Sequence, residues 1–131
     1  MSGTVSISLP LEPESAARAR ASVEELRDGM SSDAYTDLRL LVSELVVDAV
    51  QTHTAEDASE IEMRAELQDG AVWVKLSQGS SAYNLRPRLP EPGEPGWGLH
   101  LVARLARRWG LRREPGRSSV WWEMARDQVR R

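Results

Sequence analysis

No cysteine occurs in the sequence, and no phenylalanine. The first absence excludes disulfides, zinc–thiolate sites and thiol nucleophiles together, and with them a secreted disulfide scaffold. No apolar run reaches the ~18 residues of a membrane-spanning helix, because Glu44 and Asp48 interrupt the longest candidate. The opening stretch MSGTVSISLPLEPESAARAR lacks a basic segment followed by a long apolar one, so no signal peptide is expected. A Gly-Lys-Ser/Thr run is missing, which excludes a Walker loop. What is present amounts to 131 residues, about one domain. With 40% hydrophobic and 28% charged residues the composition is that of a globular chain rather than a disordered one. The expectation is a single soluble, cytoplasmic domain spanning residues 1–131.

Lysine is also scarce: of 17 basic residues one, Lys75, is lysine and the rest are arginine. The net charge of −3 conceals a division, because residues 1–69 sum to −10 and residues 70–131 to +7. An arginine-rich half suits phosphates or an acidic partner surface, whereas the plainer reading is a set of solvated faces. Arg104, Arg107, Arg108, Arg112 and Arg113 fall close together. No nucleic-acid reader motif accompanies them and the pI is near 5.4, so a nucleic-acid partner is not expected.

Val5, Ile7 and Leu9 alternate with small polar residues until Pro10, the pattern of a half-buried strand. Residues 12–29 place Ala16, Ala19, Val23 and Leu26 at helical spacing and end in Gly29. Ser31, Ser32 and Asp33 then signal a helix start, and Leu38, Leu41, Val42, Leu45 and Ala49 form one stripe of a helix over 34–53. Two alternating runs, Ile61–Leu67 and Val72–Leu76, flank Asp69-Gly70, which predicts a hairpin. Residues 79–96 hold four prolines and three glycines in eighteen positions, a long loop of the kind that carries function. A helix is expected from Trp97 to Trp109, followed by closing strands around Gly116. In Trp121-Trp122 the two side chains must point to opposite faces of a strand, one into the core and one toward a helix or a partner. This order predicts an α+β two-layer sandwich: a mixed, mostly antiparallel sheet with three helices on one face.

Two places in this layout can carry chemistry. Glu44 and Asp48 stand at i and i+4 on the long helix, where like charges cost a few tenths of a kcal/mol and can share a hard cation or divide the roles of base and metal ligand. The plain alternative is two carboxylates facing water. The second place is Gly93-Glu94-Pro95-Gly96-Trp97-Gly98-Leu99, opening directly into a helix. Glycines there admit close backbone approach, and the helix start offers unpaired N–H groups to a phosphate. The loop follows no parallel-strand crossover, which excludes the dinucleotide fold, and a simple connector is the bland reading.

These pieces, in this order, resemble a known superfamily. Leu41-Val42-Ser43-Glu44-Leu45-Val46-Val47-Asp48-Ala49-Val50 resembles the N-box helix of the Bergerat-type, histidine-kinase-like ATPases, and Gly96-Trp97-Gly98-Leu99-His100-Leu101-Val102 resembles their glycine-rich second box. Leu105-Ala106-Arg107-Arg108-Trp109-Gly110, with Gly116 and Ser119-Val120-Trp121, is similar to the tail of the small anti-sigma-factor, serine protein kinase branch of actinobacterial type. The resemblance implies the histidine-kinase-like ATPase fold. It also implies an N-box glutamate at Glu44 that orients the nucleophile or acts as base, and a magnesium ligand at Asp48. The adenine-recognising position falls on Gln78, beside Gly79. The implied nucleotide contacts are Gly93, Gly96, Trp97, Gly98 and Leu99, with a last-strand hydroxyl at Ser119, beneath a lid over 79–96. Thr52 stands where the family often has a histidine or basic residue, with His53 displaced by one.

Two departures touch the nucleotide's polar anchors. Asp48 replaces the family's asparagine and adds negative charge beside the phosphates. Gln78 replaces its aspartate and moves the acceptor outward by a methylene. Losing one charge-assisted hydrogen bond costs about 1.5–3 kcal/mol, tenfold or more in affinity, so ATP and Mg²⁺ binding is expected to be weak or lost. The resemblance therefore implies a regulatory protein that binds a sigma factor and an anti-anti-sigma partner, with a homodimer as a further expectation. The alternatives are an active ATP-dependent serine kinase, and a pocket given over to another ligand.

Overall fold

The computed structural model describes residues 3–52, 60–79, 91–92 and 96–129. Strand β1 (Thr4–Pro10) leads to helix α1 (Ser15–Ser22), a 3-10 segment (Val23–Gly29) and the long helix α2 (Ser32–Thr52). Strands β2 (Glu60–Gln68) and β3 (Ala71–Gln78), helix α3 (Trp97–Leu105), and strands β4 (Arg108–Glu114) and β5 (Arg117–Ala125) follow. The five strands form one sheet in the order β1-β2-β3-β5-β4, and each neighbouring pair is antiparallel. The expected two-layer sandwich is what forms, with an antiparallel sheet in place of a mixed one.

Strand periodicity sets the two sheet faces. Ile61, Met63, Ala65, Val72, Val74, Leu76, Val120, Trp122 and Met124 point to one side, buried against Leu38, Leu41, Val42 and Leu45 of α2 and Leu99 and Val102 of α3. The turn between β2 and β3 is Asp69-Gly70, as expected, and Gly70 takes a left-handed φ of 72°. Ser31 caps α2: its Oγ accepts the Ala34 N–H at 3.1 Å.

Two element boundaries differ from expectation. The helix expected over 12–29 is α-helical only from Ser15 to Ser22 and then tightens to 3-10. Val23 and Leu26, both fully buried, are three residues apart, which three residues per turn aligns on one side. The helix expected to reach Trp109 ends at Leu105. Ala106 turns extended and the Arg107 N–H donates to the Glu123 carbonyl at 2.8 Å. Sheet pairing wins there, and Trp109 lies opposite Trp122 in the strands. No helix among the described residues is long and apolar enough to cross a membrane.

Candidate functional site at the junction of α2 and α3

The carboxylate helix and the glycine box meet. The Gly98 N–H donates to Asp48 Oδ2 at 2.9 Å, in a buried hydrogen bond across fifty positions of sequence. Helix α3 starts there because Gly96 takes a left-handed φ of 110°, a conformation that a side chain disfavours. Its carbonyl accepts the His100 N–H at 3.1 Å. Gly98 serves a different need: a Cβ on it would lie 2.8 Å from the Leu45 nitrogen and 2.9 Å from the Leu45 Cα. The missing side chain lets α3 rest against the backbone of α2, which in turn brings the first amides of α3 to Asp48.

Asp48 is 3% exposed. Burial raises its pKa above the ordinary 3.8; the backbone N–H groups of Gly96 and Gly98 pull it back, and the charge of Glu44 one turn earlier pushes it up. Glu44 itself is half-buried at the edge of the stripe. The two carboxylates thus stand as the i, i+4 spacing placed them, but unequally. Asp48 is turned inward as the acceptor for the opening of α3, while Glu44 keeps access to solvent.

The remaining candidates divide. Gln78 is 2% exposed at the end of β3, on the helix-facing side of the sheet, and Gly79 follows it in a bend. Leu99 is 1% exposed and belongs to the core. Trp97 is half-buried, its ring edge-on to His100 at 5.8 Å between centroids. Thr52 is turned back on its own helix, its hydroxyl donating to the Asp48 carbonyl at 2.7 Å. Gly93 and His53, with most of the expected lid over 79–96, lie outside the described residues.

Ser119 is not brought to this junction. The register places Ser119 opposite Ser77, on the face away from the helices, where their hydroxyls are 2.9 Å apart. The hydroxyl beside Gln78 on the helix-facing side is that of Ser118, its direct cross-strand partner. The sequence held a signal for this: once Trp122 is the buried member of the Trp121-Trp122 pair, every even position of β5 faces the helices, and Ser118 with it.

What the first turn of α3 can accept decides whether a nucleotide phosphate fits there. Free N–H groups at a helix start attract an anion, but here a carboxylate of the chain already holds the Gly98 amide. A phosphate drawn to the same amide would meet a like charge in a buried setting, where charges are poorly screened. Among the described residues no group of three or more His, Asp or Glu side chains gathers to hold a metal ion. The arrangement at Asp48 does not fit a nucleotide phosphate while that carboxylate is ionised and in place.

Comparison with known proteins agrees with this fold. Residues 9–124 match the histidine kinase-like ATPase domain. The chain belongs to that family. Among curated proteins it is similar to the serine-protein kinase RsbW of Listeria monocytogenes serotypes 4a and 4b, 28% identical over 96 residues. That match takes in 71% of this chain and 61% of the relative, so the chain spans about three-fifths of the RsbW proteins' length. Among solved structures it resembles the RsbU and RsbW domains of Rv1364c from Mycobacterium tuberculosis. The TM-score is 0.72 and the identity 21%, over 93% of this chain and 32% of the other. The histidine kinase domain of a blue-light-activated kinase from Erythrobacter litoralis shares the fold at a TM-score of 0.53 and 18% identity, over 90% of this chain and 62% of the other.

Proposed function

We infer that this histidine kinase-like ATPase domain acts as an anti-sigma-type regulator in the cytoplasm. It would bind a sigma factor and an anti-anti-sigma partner through its folded surface, with a nucleotide site that has lost strength. Family membership and the likeness to the RsbW serine-protein kinases support the regulatory part. One observation carries the weakened nucleotide site: Asp48, at the position of the family's metal-holding asparagine, is spent on the Gly98 amide. The active serine kinase, with Glu44 orienting the attacking hydroxyl, would need Asp48 to leave that bond and face solvent.

Calorimetric titration of ATP with magnesium tests the nucleotide part. The parent chain is expected to bind weakly, at millimolar ATP, and Asp48→Asn combined with Gln78→Asp to bind at least tenfold more tightly. Micromolar binding by the parent would overturn the weakened site and favour the kinase. Co-purification from the native cell tests the partnership, and recovery of neither a sigma factor nor an anti-anti-sigma protein would count against it.

A further inference from the structure

The face of the sheet turned away from the helices carries a second built feature, independent of the α2–α3 junction. Trp73, Lys75, Arg108, Arg112 and Trp121 line a hollow of about 270 Å³ there. Register explains the grouping. Trp121 lies directly opposite both Lys75 of β3 and Gly110 of β4, while Trp73 and Arg108 lie opposite Glu123 one pair away. The indole of Trp121 is laid across β4: a Cβ on Gly110 would come within 2.7 Å of its Nε1 and 3.1 Å of its Cε2. The absence of a side chain at Gly110 is what lets the ring settle flat over the strand, half-exposed to solvent.

The charges around this aromatic floor are unbalanced. Arg108 is held by Glu123 at 2.7 Å, and Arg107 reaches the same carboxylate at 3.6 Å. Lys75 and Arg112 form no ion pair with any described residue. Elsewhere on the same face the cations are matched, Arg64 by Glu66 at 3.2 Å and Arg117 by Glu62 at 2.6 Å. Among the described residues, the cations of this face that have no ion-pair partner are therefore the two that flank the tryptophans.

We propose that this hollow is a docking site for a short acidic segment of a partner protein, one that places an aromatic side chain against Trp73 and Trp121 and its neighbouring carboxylates on Lys75 and Arg112. Arginine offers a fork matched to a carboxylate, and indole faces take a planar ring at about 4.5–7 Å between centroids. A nucleic acid fits the site less well. It needs a run of cations along a backbone, whereas the cations here without an ion pair among the described residues are two, on a chain of net charge −3.

Titration of the full chain with synthetic eight-residue peptides tests the site. The main probe is built of Asp and Glu around one Phe. The controls replace that Phe by Ala, replace the acids by Lys, or substitute an eight-nucleotide oligothymidylate. The acidic Phe peptide is expected to bind saturably and more weakly as salt rises. Its affinity should fall tenfold or more in Lys75→Glu/Arg112→Glu, in Trp121→Ala, and when Phe is replaced by Ala. Gly110→Ala, which displaces the indole but leaves both charges, should weaken it as well. Circular dichroism of each variant should match the parent, and Arg112→Glu alone serves where the double variant does not fold. Absence of binding, or binding indifferent to all these substitutions, overturns the proposal. So do tighter binding of the oligonucleotide, or a self-association in sedimentation that the same substitutions abolish.

Discussion

Asp48 concentrates the residue-scale physics of this protein. A buried carboxylate is costly unless hydrogen bonds repay the lost hydration, and here two amides at the opening of α3 repay part of it. The balance leaves the pKa raised, so the folded chain holds this proton more tightly than the unfolded chain does. The stability linked to this group is therefore greatest at low pH and declines as pH rises from the unfolded value of 3.8 through the folded one. Asp48→Asn keeps an oxygen for the Gly98 N–H and removes the charge. The variant is expected to match or exceed the parent at pH 7, by up to about 1 kcal/mol, with the two curves converging below the unfolded value. Urea unfolding across pH 3 to 8 measures this, and a variant less stable at pH 7 would mean that the charge itself is the favourable cap. Sequence pattern put Glu44 and Asp48 side by side, but it could not say which would turn inward. That depended on where a distant helix begins.

Between elements, the decisive contact is α3 against α2. In an exposed helix, replacing glycine by alanine gains about 1 kcal/mol. At Gly98 the sign reverses, because the added Cβ would meet the Leu45 backbone at 2.8–2.9 Å and a backbone cannot swing aside as a side chain can. Gly98→Ala is expected to cost about 1–3 kcal/mol, seen as a lower urea midpoint with an unchanged slope. It should also loosen the Asp48 hydrogen bond. A neutral or stabilising result would show that the two helices can separate freely. Most element types were legible from periodicity and turn residues, such as Asp69-Gly70 and the cap at Ser31. The end of α3 was not, since Leu105 and Ala106 suit a helix and only pairing with β5 ends it.

Across the whole molecule, one core joins the helical layer to the sheet, and Trp122 is its largest fully buried side chain. Trp122 pairs with Val74 on one side and Trp109 on the other, so its loss reaches three strands at once. Trp122→Ala is expected to cost roughly 3–5 kcal/mol, a large share of the ~5–15 kcal/mol of a typical domain. The melting temperature should fall by roughly 10–20 °C, with far- and near-ultraviolet circular dichroism shifting together. Separate transitions would mean that the two layers do not melt as one unit.

The division of the tryptophans shows where one-dimensional information ends. Alternation along the chain determined that Trp121 and Trp122 face opposite ways, that Glu44 and Asp48 share a helix edge, and that the glycines open a helix. These are local consequences of 2.0- and 3.6-residue periods, which the order of residues contains in full. Tertiary structure decided the rest: that Ser118 rather than Ser119 lies beside Gln78, that Asp48 holds the Gly98 amide, and that among the described residues Lys75 and Arg112 meet no carboxylate while their neighbours find one. Each of these depends on register or on contact between residues remote in sequence, and neither is fixed until the layers pack.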